Sequence, residues 1–279
     1  MKKLFITILT LAFFAGGLAG VISPALQNAK AAGDEEDTVY ARGGTYVGLV
    51  TETINYYDRK ESFYMTDPEI PGYSTGYTCG IVAGGNIVAW YNGTSLYELL
   101  IPNHTAGQYF WGEWLWGTAG SGMSAMFASL NTDMGATSLG VTISGYRNGM
   151  GTYATRQGYT FTSTSIMGTG GDLLDPSYMG AIKSGKLMTI FVDGFTIMDI
   201  GDLKTFKASK YDTVIMEQYT GAHVMAIYGY RDVKYYDSND DIFRHDIYLI
   251  CHTGFGGTLG MMRVTSHCTL DAAYLTYIT

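Results

Sequence analysis

The apolar pattern along the chain changes character several times. Residues 4–21 (LFITILTLAFFAGGLAGV) form a run with no charge in it, preceded by Lys2 and Lys3. Residues 46–58 (YVGLVTETINYYD) alternate enough to predict a strand or short hairpin. Residues 59–77 carry Pro68, Pro71, Gly72 and Gly76 and read as loop. The next stretch, 78–91, places Ile81, Val82, Ala83, Ile87, Val88, Ala89 and Trp90 on every face of a helix. A helix that is apolar all round is a buried one. Thr78 is its expected N-cap, with a hydroxyl able to accept from an orphan N–H of the first turn. Gly84 and Gly85 each cost about 1 kcal/mol of helix propensity. They are worth keeping only where something packs tightly against them.

Residues 103–170 are rich in Gly, Ser, Thr and aromatics. A helix is expected near 121–131, and strand-like material from Ser138 to Phe161. Asp175 as cap, Pro176 in the first turn and Gly185 as stop predict a short helix. Four strands should follow: LMTIFVDG, AHVMAIYGYRD with alternation centred on Val224, Ala226 and Tyr228, DIYLICHTGF, and GMMRVTSH. Helices first and a mostly antiparallel sheet second make an α+β pattern. There is no internal repeat and no clean linker.

The N-terminal run changes the picture of where the chain works. A positive start, an apolar stretch and the small-x-small site Ala29-Lys30-Ala31 predict a signal peptide over 1–31, cut near Ala31. The alternative is an uncleaved anchor, since the run is long enough to span a bilayer. After cleavage the chain is expected to be secreted, with no membrane association. Losing residues 1–31 removes three of the 17 basic side chains and none of the 25 acidic ones, for a formal charge of −11. That excludes the basic footprint a nucleic-acid partner needs. Residues 32–45 (AGDEEDTVYARGGT) read as a flexible, acidic N-terminus, and 46–279 as one domain of two lobes. The 37 glycines, 23 tyrosines and only 5 prolines suit a strand-rich globular domain rather than a disordered one.

Three cysteines, Cys79, Cys251 and Cys268, are too few for a disulfide scaffold. Cys251 and Cys268 can pair, leaving Cys79 free. Cys79 opens the apolar helix, where the helix dipole favours a thiolate. A thiolate nucleophile needs a base and a group that orients the base. His223 lies on a strand 144 residues later, within the spacing of papain-type enzymes. A second strand ends in Cys251-His252-Thr253-Gly254-Phe255-Gly256-Gly257.

In these three blocks the chain resembles the papain-like cysteine peptidases, especially their bacterial streptopain-like and bacteriocin-processing branches. Thr78-Cys79-Gly80 through Ile87 looks like the family's nucleophile helix. Gly221-Ala222-His223-Val224 through Tyr230 looks like the strand that carries its base. The family's orienting Asn maps onto His252. The resemblance covers roughly residues 73–265. It implies a papain-like fold, with a helical lobe carrying the Cys helix packed on an antiparallel β-sheet lobe. It also implies a cysteine peptidase with catalytic Cys79, His223 and His252, no cofactor, and a peptide, protein or peptidoglycan substrate. Two departures stand out. No Gln lies between Glu52 and Cys79 to complete the oxyanion hole, so the second donor falls to Tyr73, Ser74, Thr75 or Tyr77. His also stands where Asn is expected, with Asp237 or Asp232 as the other orienter. Both departures suit a competing reading, a secreted surface-binding protein on the same scaffold whose chemistry has lapsed.

Blander readings compete. Cys79 can be a small buried hydrophobe, and His223 or His252 a satisfied core histidine. Gly72-Tyr73-Ser74-Thr75-Gly76 matches G-x-S-x-G but lacks the apolar strand such an elbow requires. Asp237-Ser238-Asn239-Asp240-Asp241 lacks the Gly and Glu of an EF-hand loop and reads as a solvated turn. No pair of His at helical spacing and no C-x-x-C suggests a metal. Tyr109, Phe110, Trp111, Trp114 and Trp116 read as core, or as a substrate wall.

Overall fold

The computed structural model describes residues 30–40, 47–54, 78–92, 100–101, 108–110, 113–115, 121–168, 173, 177–199, 211–236, 242–255, 260–264 and 269–279. The elements in chain order are β1 (Lys30–Tyr40), β2 (Val47–Ile54), α1 (Cys79–Asn92), β3 (Gln108–Phe110), β4 (Glu113–Leu115), α2 (Ser121–Asp133), α3 (Ile143–Arg156), β5 (Phe161–Ser165), α4 (Ser177–Lys183), β6 (Leu187–Asp199), β7 (Tyr211–Tyr236), β8 (Ile242–His252), β9 (Gly260–Arg263) and β10 (Leu270–Ile278). Helices and an antiparallel sheet make an α+β protein, as the patterning predicts.

β7 is the spine of the sheet. Its 26 residues are long enough to take two partners on each edge. β6 pairs along 217–227 and β2 along 229–236. β1 pairs along 211–220 and β8 along 226–236. Since β6 overlaps β1 at 217–220 and overlaps β8 at 226–227, β6 must lie on the opposite edge from both. β9 joins β8 to β6, so strands β6 to β9 close on themselves into a curl. β10 and then β5 extend the sheet from β6.

The period-2 alternation of strands divides the core in two. Val224, Ala226, Tyr228, Phe191 and Ile250 face the helices. Met225, Ile227, Ile190, Val192, Leu249 and Cys251 face the other side, with Tyr178 and Ile182 of α4. α1 is buried along nearly its whole length, which is why no polar face was visible in its sequence. Its glycines are contact points. A methyl at Gly84 would meet Met134 Cε at 2.7 Å and Met150 Sδ at 3.0 Å, and one at Gly85 would run into the Phe127 ring.

Three features depart from the sequence reading. The strand-like region from Ser138 to Phe161 is mostly α3. Thr142 caps it, its hydroxyl accepting from the Gly145 amide at 2.9 Å. Tyr146, Gly149, Met150, Tyr153 and Ala154 are buried, at the spacing of one helical face. Tyr146 bonds Thr189 of β6 at 3.1 Å and so ties α3 to the sheet. The acidic segment expected to be flexible forms β1, in register with β7 from Lys30 opposite Thr220 to Tyr40 opposite Tyr211. The Thr78 carbonyl accepts from Val82 and starts α1, but its buried hydroxyl caps nothing. The Cys251 thiol donates to the Gly260 carbonyl at 3.3 Å, and Cys268 lies outside the described residues. Gly185 follows α4 at a positive φ of 85°, as its role of stop requires, while Asp175 and Pro176 lie outside the described residues. No described helix is long and apolar enough to cross a membrane.

Candidate active site

Cys79 is the first residue of α1, where backbone amides have no partner within the helix. The nearby backbone of Val224, and that of Gly80 and Cys79 at the helix start, favours the thiolate. Burial outweighs this and pushes the thiol above its ordinary value. By solvent exposure Cys79 is half-buried.

The nearness of Val224 locates the sulfur on the sheet. On β6 the Asp193 amide donates to the Thr269 carbonyl at 2.9 Å, away from β7. Adjacent residues of a strand direct their amides to opposite edges, so Val192 bonds toward β7, to its partner His223. Val224, one residue on, therefore directs its amide out of the other edge of β7. There β1 ends opposite Thr220 and β8 begins opposite Ala226. Among the described residues no strand pairs with that edge between them. Cys79 meets β7 in this break.

His223 lies beside the same break. Its side chain, 2% exposed, follows its partner Val192 to the face away from the helices. Its ring stacks on Phe255 (4.5 Å between centroids) and on Phe195 (5.5 Å). Tyr219 stacks on both of these phenylalanines at 5.0 Å. His223 Nε2 lies 2.6 Å from the Thr253 carbonyl oxygen. A carbonyl only accepts, so Nε2 carries the proton and Nδ1 the lone pair. Burial lowers the imidazole to about 4, partly opposed by the Thr253 bond. The sulfur thus lies on the helix side of the sheet beside Val224, and the imidazole of the preceding residue on the other face, with no hydrogen bond joining them.

His252 is elsewhere. It pairs with Ala226 and so faces the helices. Asn86, two turns along α1 from Cys79, donates its Nδ2–H to His252 Nδ1 at 3.3 Å. Tyr228 meets the ring edge-on at 6.5 Å. Burial lowers this imidazole to about 4. The expected contact between His252 and His223 is therefore not made, and the Thr253 carbonyl occupies that place. One residue separates the two assignments, and one residue flips a strand's side chain to the other face. Asp232 sits nine positions beyond His223 on β7, about 30 Å of extended strand. Asp237 lies outside the described residues, as do Tyr73, Ser74, Thr75, Tyr77, the G-x-S-x-G segment, the acidic run to Asp241, Trp111 and Trp116. Tyr109, Phe110 and Trp114 belong to the β3–β4 hairpin. Among the described residues no group of three metal-ligating side chains occurs.

Compared with protein-family profiles, curated proteins and solved structures, the chain matches none.

Proposed function

We propose that this chain is an exported papain-like cysteine hydrolase that cleaves a peptide or related amide bond, in protein or in peptidoglycan. One observation carries the reading. The Cys79 sulfur, at a helix start, lies near the backbone of Val224, the residue after His223, although 144 positions separate cysteine and histidine in the chain. The order of the three sequence blocks and the α+β architecture support it.

The chemistry follows from the donors. His223 Nδ1 takes the thiol proton as Cys79 Sγ adds to the scissile carbonyl carbon, and the carbonyl electron pair moves to oxygen. The Cys79 amide supplies one oxyanion donor. Collapse of the adduct breaks the C–N bond, and the imidazolium returns its proton to the leaving amine, leaving a thioester. Water then gives a proton to Nδ1 as its oxygen adds to the thioester carbon; the C–S bond breaks, releasing the acid, and the imidazolium returns its proton to the sulfur. Catalytic hydrogen bonds are often long before substrate binds, so the absence of a sulfur–imidazole bond is compatible with the resting enzyme.

Alkylation of Cys79 by iodoacetamide or an epoxide at pH 6 tests the reading. Acceleration over a free thiol that disappears in His223→Ala supports it. Labelling at the free-thiol rate, unchanged in that variant, removes it. Zymography on casein and on cell walls then separates the substrates. A second reading, a surface-binding protein whose chemistry has lapsed, is favoured by burial, which keeps both the thiol and the imidazole neutral. The same measurement decides between them.

A further inference from the structure

We propose that the turn Thr253–Gly254–Phe255, through its first carbonyl and its last ring, is the device that positions His223 for proton transfer, in place of an orienting side chain. The proposal rests on the hydrolase reading above.

Three observations meet in this turn. The Thr253 carbonyl accepts from His223 Nε2 at 2.6 Å, which fixes the tautomer with Nδ1 as acceptor. The Phe255 ring lies over the imidazole at 4.5 Å with planes 10° apart, and Phe195 holds the ring at 5.5 Å. The turn is held in shape by itself. The Thr253 hydroxyl accepts from the Phe255 amide at 3.3 Å, and Gly254 adopts a φ of +80° that an L side chain resists.

A base needs one nitrogen pinned so that the other carries the lone pair. A carboxamide side chain does this with a rotatable group. A backbone carbonyl in a glycine turn does it with a group that has no rotamer to lose. His252, adjacent in sequence, is engaged by Asn86 on the other face. Thr253 and Phe255 are therefore positioning residues, and His252 is outside the proton path.

The test combines tautomer and rate. Long-range ¹H–¹⁵N spectra of the protein should show His223 protonated at Nε2. In Gly254→Ala, where the added carbon strains the turn, that population should fall, and His223-dependent alkylation of Cys79 should drop about tenfold or more. Should Gly254→Ala not fold, Thr253→Val, which removes only the hydroxyl that holds the turn, should move both readouts the same way. His252→Gln should leave both within about twofold of the parent, far below the effect of removing a base. A His223 protonated at Nδ1, or a His252→Gln variant that loses the acceleration, overturns the proposal while leaving the hydrolase reading intact. Loss of the hydrolase reading itself shows separately, as alkylation indifferent to His223→Ala.

Discussion

The Asn86 carboxamide donates to His252 Nδ1 across the seam between α1 and β8, at 3.3 Å and with both groups buried. Asn86, like Asn92 at its end, is a buried carboxamide in a mostly apolar helix, and it faces the same way as Cys79. The pair ties α1 to β8 on the sheet face opposite His223.

Asn86→Ala should lower stability by about 1–3 kcal/mol, the cost of stranding a buried acceptor. Urea denaturation checks this. A loss under about 0.5 kcal/mol would mean the bond contributes nothing net.

Stability should fall with acid in a window set by two histidines. His223 and His252 are both lowered from 6.5 to about 4 by burial. Above pH 6.5 folded and unfolded chains are both neutral there, and the full stability is present. Between 6.5 and 4 the unfolded chain binds protons that the folded one refuses, so stability drops as pH falls. Each histidine contributes up to about 3 kcal/mol, at 1.36 kcal/mol per unit of pKa. Melting temperatures at pH 7 and pH 4.5 should show the decline, and His252→Gln should make it shallower. Equal slopes for parent and variant would contradict the assignment.

Gly85→Ala should destabilise even though alanine is the better helix former. The helix gains about 1 kcal/mol, while the new methyl runs into the Phe127 ring and overpacking costs about 1–3 kcal/mol. The expected net is a loss of about 1 kcal/mol in chemical denaturation; a raised midpoint would show that the ring moves freely.

Thr78→Val should cost nothing, or stabilise. The hydroxyl is buried with no partner, and replacing an unsatisfied polar atom by a methyl removes its desolvation penalty. A thermal melt would refute this with a drop of several degrees.

Native alkylation should distinguish two thiols. Cys251 is fully buried and donates to Gly260, so mass spectrometry after brief iodoacetamide treatment should find Cys79 modified and Cys251 intact until the protein is denatured.

Much of the fold was legible because it is local. α1 announced itself through uniform apolarity, α4 through Pro176 and Gly185, and the centre of β7 through alternation at Val224, Ala226 and Tyr228. α3 was missed for a physical reason: its glycines weaken helix propensity and its Thr and Tyr residues suit strand, yet Tyr146, Gly149, Met150, Tyr153 and Ala154 repeat at helical spacing, and tertiary burial of that face overrides propensity. β1 was missed because its acidic residues carry no core pattern; it is a strand only because β7 is long enough to offer it an edge.

The amino-acid order alone determined that a cysteine opens a buried helix and that a histidine stands in an apolar alternating strand, since helix starts and alternation are properties of neighbouring residues. The tertiary structure alone decided which way each group faces. Pairing register is a relation between distant segments, and a shift of one residue reverses it. That is why Thr253 rather than His252 holds His223, and why the Val224 amide is left to meet a sulfur.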